Sequence, residues 1–179
     1  DVVIEAIVEN MEIKQKVIKE LETVCHEDFI FASNTSSLPL TEMSKAAKKP
    51  ENVIGMHYFS PVPKMPLLEI IKTDQTSEET LATCYEIGKR QGKTCIVVND
   101  MPGFYVNRIL CPYLIEGLLM IEEGVRIENI DGALTSLGMP IGPITLLDEV
   151  GIEVGAHVMS GNMAQLLKGR ELSLIHISE

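Results

Sequence analysis

The sequence predicts an α/β domain followed by an all-helical domain. Up to Val98, short apolar runs alternate with segments whose apolar residues recur at helical spacing, and beyond about residue 100 only helical spacing is found. The composition, 45% apolar and 23% charged residues, is that of an ordinary globular chain. Strands separated by helices of this length favour a parallel sheet. We therefore place a domain boundary near residue 100.

Five apolar segments are predicted to form the sheet. The first contains one internal acid and suits a strand that is buried on both faces. The predicted strands are residues 2–8, 29–32, 53–56, 67–71 and 93–98. A polar turn, residues 33–37, follows the second strand, and a Pro-rich stretch, residues 61–66, separates the third from the fourth.

Helices are predicted between these strands and throughout the second domain. Asn10 can cap the first helix, Thr76 and Glu79 form a capping-box pattern, and Pro143 suits the first position of the last helix. Gly142 and Pro143 are interpreted as a tight corner between two helices. The predicted helices cover residues 13–25, a short segment after 41, a segment that opens at the Thr76–Glu79 pattern and stops near Gly92, residues 106–121 with an end near Gly124, and residues 127–137 and 143–147.

Charge and composition exclude several functional classes. A net charge of −11 disfavours a nucleic-acid partner, and no apolar run of roughly 18 residues predicts a membrane span. The four cysteines lie apart, which favours small buried thiols in a reducing compartment, and no metal site is expected. The nine methionines are interpreted as core filling, and His26 and His157 have no assembled neighbours.

Polar residues follow three predicted strands, at the end where open α/β sheets bind ligands. They are Glu9, the turn 33–37 and His57. Each also has a structural interpretation: an acid favoured at a helix start, a turn that satisfies its own backbone, and a core histidine. The convergence of all three favours a site at this edge of the sheet.

Glu69 makes His57 the most informative residue. It lies within the apolar segment 67–71, where an ionised carboxylate buried without a partner costs several kcal/mol. Either Glu69 faces solvent, or a neighbour pairs with it. The Pro-rich stretch can bring it back beside His57, and Lys64 is the rival partner. A His–Glu pair fixes one imidazole tautomer and stabilises the protonated ring, as a general base requires.

At these residues the chain resembles the 3-hydroxyacyl-CoA dehydrogenase family, most of all the dehydrogenase part of multifunctional fatty-acid β-oxidation enzymes. The resemblance runs from Asp1 to about Ile152 and rests on long motifs in the family's order. These motifs are VIEAIVEN, FIFASNTSSLP, VIGMHYFSPVPKMPLLEII, DMPGFYVNRIL and GMPIGPITLLDEVG.

The resemblance implies that NAD oxidises a 3-hydroxyacyl-CoA to the 3-ketoacyl-CoA. His57 matches the family's catalytic base, and Glu69 matches the acid paired with it. Ser36 matches a serine near the substrate oxygen and the nicotinamide, and Asn107 matches an asparagine that positions the substrate.

Cofactor contacts are also implied by the resemblance. Ile7, Val8, Glu9 and Lys14 match positions that line NAD, the last two near the ribose on the nicotinamide side. Ser60 stands where many single-function members carry Asn, which points to the multifunctional branch and weakens that cofactor contact.

The resemblance implies an incomplete family architecture. Residues 1–100 correspond to the C-terminal part of a Rossmann-type NAD-binding domain, without its first β-α-β unit and Gly-rich phosphate loop. Residues 101–172 correspond to a truncated, all-helical dehydrogenase C-terminal domain, and residues 173–179 look foreign to the family. Because the phosphate loop holds the pyrophosphate, we expect this piece alone to bind NAD poorly.

The resemblance also implies an oligomer, with a thiolase subunit as a candidate partner. The implied compartment is the mitochondrial matrix, with the bacterial cytoplasm or the peroxisome as alternatives. Two other functions stay open: a non-catalytic fragment or interaction module that retains the fold, and a short-chain 3-hydroxybutyryl-CoA dehydrogenase.

Overall fold

A computed structural model describes residues 1–151 of the chain in two compact units. The first unit is Asp1–Tyr105, and the second begins at Val106. The family-foreign segment predicted at residues 173–179, the end of the predicted helical domain and His157 lie outside the described residues.

The first unit contains five strands and three helices. The strands are β1 (Val2–Glu5), β2 (Ile30–Ser33), β3 (Val53–Tyr58), β4 (Leu67–Lys72) and β5 (Thr94–Asn99), and the helices are α1 (Met11–Leu21), α2 (Leu40–Ser44) and α3 (Glu78–Arg90). Asn10 caps α1 as predicted, accepting from the Ile13 amide at 3.1 Å. The predicted capping box is wrong, because Ser77 caps α3 through the Thr80 amide. The Thr76 hydroxyl donates instead to the Val53 carbonyl.

The sheet has the strand order β1-β2-β3-β4-β5 and is mixed. β1, β2 and β3 are parallel, but β4 is antiparallel to β3, and β5 is parallel to β4. The prediction of a wholly parallel sheet is therefore wrong at β4. A parallel crossover needs about a dozen or more residues. Residues 59–66 are too few for it, so the chain reverses and β4 runs back along β3.

Two apolar layers cover the faces of the sheet. Alternate strand residues point to opposite faces, so Val53 packs in one layer while Ile54 and Met56 pack in the other. Gly55 lies between them, and a Cβ there would be 2.7 Å from Leu40 Cδ1. This close approach brings α2 onto the strand that carries His57.

The cysteines of the described residues are free thiols. Cys84 and Cys111 are buried, as predicted, while Cys25 and Cys95 are half-buried. Burial raises the pKa of the Cys84 thiol to about 12, so this sulfur stays protonated and unreactive near neutral pH.

The second unit is helical over its described residues. Its helices are α4 (Val106–Glu122), α5 (Ile127–Ser136) and α6 (Pro143–Val150). Asp131 of α5 caps α6, because its carboxylate accepts from the amides of Ile144 and Thr145 at 3.0 and 2.9 Å. Gly142 contacts the Asp131 carboxylate so closely that a Cβ would overlap it. The Gly-Pro corner is therefore a docking point between two helices. None of the helices in residues 1–151 is long and apolar enough to span a bilayer.

Candidate active site

The carboxyl ends of the parallel strands β1, β2 and β3 lie at one edge of the sheet, and the predicted polar residues lie in the loops that follow β1 and β2 and at the end of β3. β1 ends at Glu5, three residues earlier than predicted, so Ile7, Val8 and Glu9 belong to a loop. β3 is longer than predicted and ends at Tyr58, so His57 lies inside the strand.

His57 and Glu69 are cross-strand neighbours. The antiparallel register of β3 and β4 sets them directly opposite each other. His57 Nδ1 lies 2.6 Å from Glu69 Oε2, and the two side chains are 5% and 0% exposed. The predicted contact is present, and Lys64, the rival partner, is exposed. A carboxylate on Nδ1 favours the tautomer that carries the proton there and leaves Nε2 as an acceptor.

The second oxygen of Glu69 is also engaged. Its Oε1 accepts from the backbone amide of Tyr105 at 3.0 Å. A fully buried carboxylate needs several donors to offset its lost hydration. Both oxygens of Glu69 therefore have a donor, and the carboxylate is held in a fixed orientation against the imidazole.

Two phenyl rings pack against the His57 imidazole. The Phe59 centroid lies 4.5 Å away, and Phe104 makes an edge contact at 5.8 Å. Gly103 and Phe104 have φ values of 73° and 50°, so the backbone turns sharply in the left-handed region. That turn lays Phe104 against the ring and presents the Tyr105 amide to Glu69. Within the first unit, residues 1–105, no group forms a hydrogen bond with His57 Nε2.

Glu9 organises the loop that carries Ser36. Its Oε1 accepts from the Thr35 hydroxyl at 2.6 Å and from the amides of Ser36 and Ser37 at 2.9 and 3.1 Å. Burial alone raises the pKa of Glu9, but these three hydrogen bonds and the Lys14 charge outweigh it and hold the pKa below its usual value. Glu9 is therefore more than a solvated acid at a helix start.

Lys14 is buried below this loop. It is 1% exposed, and its ammonium lies 2.7 Å from Glu5 Oε1 and 3.5 Å from Glu9 Oε2. Glu5 also accepts from the Ile7 amide at 2.6 Å and from the Ser33 hydroxyl at 2.7 Å. One ammonium therefore serves two carboxylates at this edge of the sheet.

The remaining predicted residues lie in exposed loops and in the second unit. Ile7 and Val8 are 41% and 61% exposed in the loop after β1. Ser36 and Ser60 are exposed in the loops after β2 and β3. Asn107 lies in the first turn of α4, in the second unit.

Sequence reasoning gave no individual role to three residues that shape the site, although Asn34 lies within the polar turn 33–37. Glu5 is buried and belongs to the ion-pair network of Lys14 described above. Asn34 accepts from the Tyr58 amide at 2.8 Å, which joins the ends of β2 and β3. Asp100 accepts from the amides of Leu40 and Thr41 at 3.1 and 2.7 Å. A signal was available for Glu5, since an acid inside an apolar strand requires a partner.

These features define an α/β unit of Rossmann type with a buried His–Glu pair near the ligand-binding edge of its sheet. Two protein-family models match the chain. Residues 1–101 match the NAD-binding domain of 3-hydroxyacyl-CoA dehydrogenase, and residues 103–175 match its C-terminal domain. The chain belongs to the 3-hydroxyacyl-CoA dehydrogenase family.

Individual relatives agree with this membership. The chain is 53% identical over 158 residues to the fatty acid oxidation complex subunit alpha of Shewanella amazonensis, covering 88% of this chain and 22% of the relative. The crystal structure of FadB2 from M. tuberculosis matches with a TM-score of 0.88 and 37% identity, over 93% of this chain and 60% of that one.

A second crystal structure matches nearly as well. (S)-3-hydroxybutyryl-CoA dehydrogenase PaaH1 from Ralstonia eutropha has a TM-score of 0.85 and 41% identity, over 89% of this chain and 57% of that one. The chain thus spans between about a fifth and three fifths of these relatives. All three come from bacteria, so they give no support to the mitochondrial expectation.

Proposed function

We propose that this chain takes part in the NAD-dependent oxidation of a 3-hydroxyacyl-CoA to the 3-ketoacyl-CoA in fatty-acid oxidation. The observation that carries the proposal is the buried contact of 2.6 Å between His57 Nδ1 and Glu69 Oε2. This contact leaves Nε2 as the only acceptor on the ring, which is the arrangement a general base needs. Membership of the family supplies the reaction class.

His57 takes the proton of the 3-hydroxyl group onto Nε2. The imidazolium that forms carries its positive charge beside Glu69, whose carboxylate stabilises it without taking the second proton. Bound NAD supplies the acceptor for the hydride that leaves C3. Loss of the hydroxyl proton to His57 and of a hydride from C3 converts the C3–O single bond into the carbonyl group of the ketone.

The side chains of the loops after β1 and β2 suit contacts with the nicotinamide half of NAD. Glu9 Oε1 is occupied by loop donors, but its side chain is still 31% exposed, so its carboxylate can also accept from ribose hydroxyls. The exposed Ile7 and Val8 offer apolar surface for a flat ring. The Ser36 side chain is exposed, and the family resemblance supports a place for it near the substrate oxygen and the nicotinamide. Buried Lys14 contributes indirectly, through its contact with Glu9.

Two further residues are proposed from the family motifs alone. Asn107 positions the substrate from the helical unit, and Ser60 contributes a weak cofactor contact where many relatives carry Asn. We also propose an oligomeric assembly, because the Shewanella relative is named as a subunit of a complex. A thiolase subunit as the partner is proposed from the family resemblance alone. The bacterial relatives support the bacterial cytoplasm as the compartment over the mitochondrial matrix.

The test replaces His57 with Gln in a hybrid protein. In this hybrid, the matched 158 residues of the chain replace their counterparts in the Shewanella amazonensis α-subunit. Loss of a general base lowers kcat by about 10²–10⁴-fold. His26→Gln is the matched control, since the His26 side chain is 69% exposed and lies in the connection between α1 and β2. A His57→Gln hybrid with normal kcat overturns the proposal.

Substrate length separates the leading proposal from its short-chain alternative. The matches to 3-hydroxybutyryl-CoA dehydrogenases favour a C4 substrate, whereas the α-subunit relative is named for fatty acid oxidation without a chain length. Comparison of kcat/KM on C4 and C16 3-hydroxyacyl-CoA in the same hybrid decides between them. If neither substrate is oxidised and no NAD binding is detected by fluorescence, the non-catalytic module is the correct interpretation.

A further inference from the structure

We infer that Glu5 is a positioning residue that sets the loop carrying Ser36 through Lys14 and Glu9. The inference deepens the proposed function, since Ser36 and Glu9 are the groups proposed to face the cofactor. None of the roles implied by the family resemblance falls on Glu5, which the mechanism above does not use.

Glu5 is a buried carboxylate. Its side chain is 2% exposed at the end of β1, and both of its oxygens are engaged. Oε1 accepts from the Ile7 amide and the Lys14 ammonium, and Oε2 accepts from the Ser33 hydroxyl. Glu5 therefore joins the end of β1, the helix α1 and the end of β2 at one point.

The Lys14 ammonium contacts both Glu5 and Glu9. It lies 2.7 Å from Glu5 and 3.5 Å from Glu9, and it also donates to the Ile7 carbonyl at 3.4 Å. Because the ammonium is buried, Glu5 decides how far it can move toward Glu9. Without the charge on Glu5, Lys14 has Glu9 as its one remaining carboxylate among the described residues, and attraction draws the two together.

Glu9 is in turn hydrogen-bonded to the loop that carries Ser36. One oxygen of Glu9 accepts from the Thr35 hydroxyl and from the amides of Ser36 and Ser37. A shift of Glu9 toward Lys14 weakens these bonds. The start of the following helix α2 has an independent anchor, because the amides of Leu40 and Thr41 donate to Asp100. A loss of Glu5 therefore affects the loop and spares the start of α2.

The experiment measures backbone amides of the 179-residue chain by ¹⁵N NMR and hydrogen exchange, without cofactor. Glu5→Gln keeps the shape of the side chain and removes its charge. It should shift the Ser36 and Ser37 resonances and speed their exchange by about threefold to tenfold, the effect of weakening one hydrogen bond. The Leu40 and Thr41 amides should not change. Glu9→Gln is the positive control.

Glu12→Gln is the matched negative control, because Glu12 is exposed in the first turn of α1. A purely structural role for Glu5 predicts faster exchange at the two loop amides and the two α2 amides together, and that result overturns the inference. Unchanged Ser36 and Ser37 amides in a folded Glu5→Gln chain also overturn it. If Glu5→Gln does not fold, Glu5→Asp keeps the charge, shortens the reach, and must shift the same two amides.

A double variant tests the route through Lys14. In a Lys14→Met background, Glu5→Gln should cause no further change at Ser36 and Ser37, because the intermediate group is gone. Additive changes contradict the route. Since no cofactor or turnover enters this measurement, its failure leaves the His57 proposal standing, and failure of the His57 test leaves these amide results intact.

Discussion

Replacement of Glu69 by Gln follows most directly from the geometry at His57. Two groups that contact Glu69 present hydrogens to it: the Tyr105 amide, and Nδ1 of the preferred histidine tautomer. A carboxylate accepts from both, but a Gln carboxamide of the same shape has one oxygen and one NH₂ group. The amide of Tyr105 cannot become an acceptor, so the oxygen of the carboxamide should face it.

The NH₂ group of the new carboxamide then faces His57 Nδ1. This donor favours the opposite tautomer, in which Nε2 carries the proton and no longer accepts one. The substitution should lower kcat by about 10²–10⁴-fold, the range for loss of a general base. The corresponding change of Asp to Asn in a Ser–His–Asp triad costs about 10⁴-fold for the same reason. Any donor left without an acceptor costs about 1–3 kcal/mol of folding stability.

The assay measures kcat in the hybrid protein and thermal unfolding of the 179-residue chain in parallel. Glu79→Gln is the matched control, since Glu79 is exposed on α3 and its change should alter stability by less than about 0.5 kcal/mol. A Glu69→Gln variant that keeps kcat within about twofold of the parent would refute the tautomer argument, whatever its stability.

Two further predictions concern the remaining carboxylates. Because the pKa of Glu9 is held below its usual value, its stabilisation is complete above about pH 4.3 and is lost as the pH falls through the lowered pKa. The protection factor of the Ser36 amide, which is the intrinsic exchange rate divided by the observed rate at each pH, should fall in that acidic window and should not change with pH in Glu9→Gln; a parallel fall in both proteins contradicts the assignment. Asp131→Ala removes the cap of α6 and should lower the free energy of unfolding by about 0.5–2 kcal/mol in urea denaturation. An equal effect from Glu149→Ala, an exposed site on α6, would show that the cap is unimportant.

The sequence predicted most of the secondary structure because apolar spacing reports which face of each element is buried. The helix α4 was predicted over residues 106–121 and spans Val106–Glu122. The end of β1 was predicted wrongly, because the apolar run continues to Val8 while Glu5 turns its carboxylate back onto the Ile7 amide. A local hydrogen bond of this kind leaves no trace in hydropathy.

The candidate site was predictable where chain geometry is short-range. The Pro-rich stretch is too brief for a crossover, which made a His57–Glu69 contact possible to foresee. The register that sets them directly opposite each other depends on the length of the turn and was not readable from the sequence. The Glu5–Lys14 pair spans a strand end and a helix, and the Asp100 anchor joins segments 59 residues apart, so neither follows from local pattern.

The most direct test of the account is the protonation of the His57 ring in the parent chain, read from its ¹⁵N imidazole resonances at a pH where the ring is neutral. The account predicts a proton on Nδ1, bonded to Glu69, and a bare Nε2. A spectrum with the proton on Nε2 would contradict it, because that nitrogen would then be unable to take a proton from a hydroxyl group.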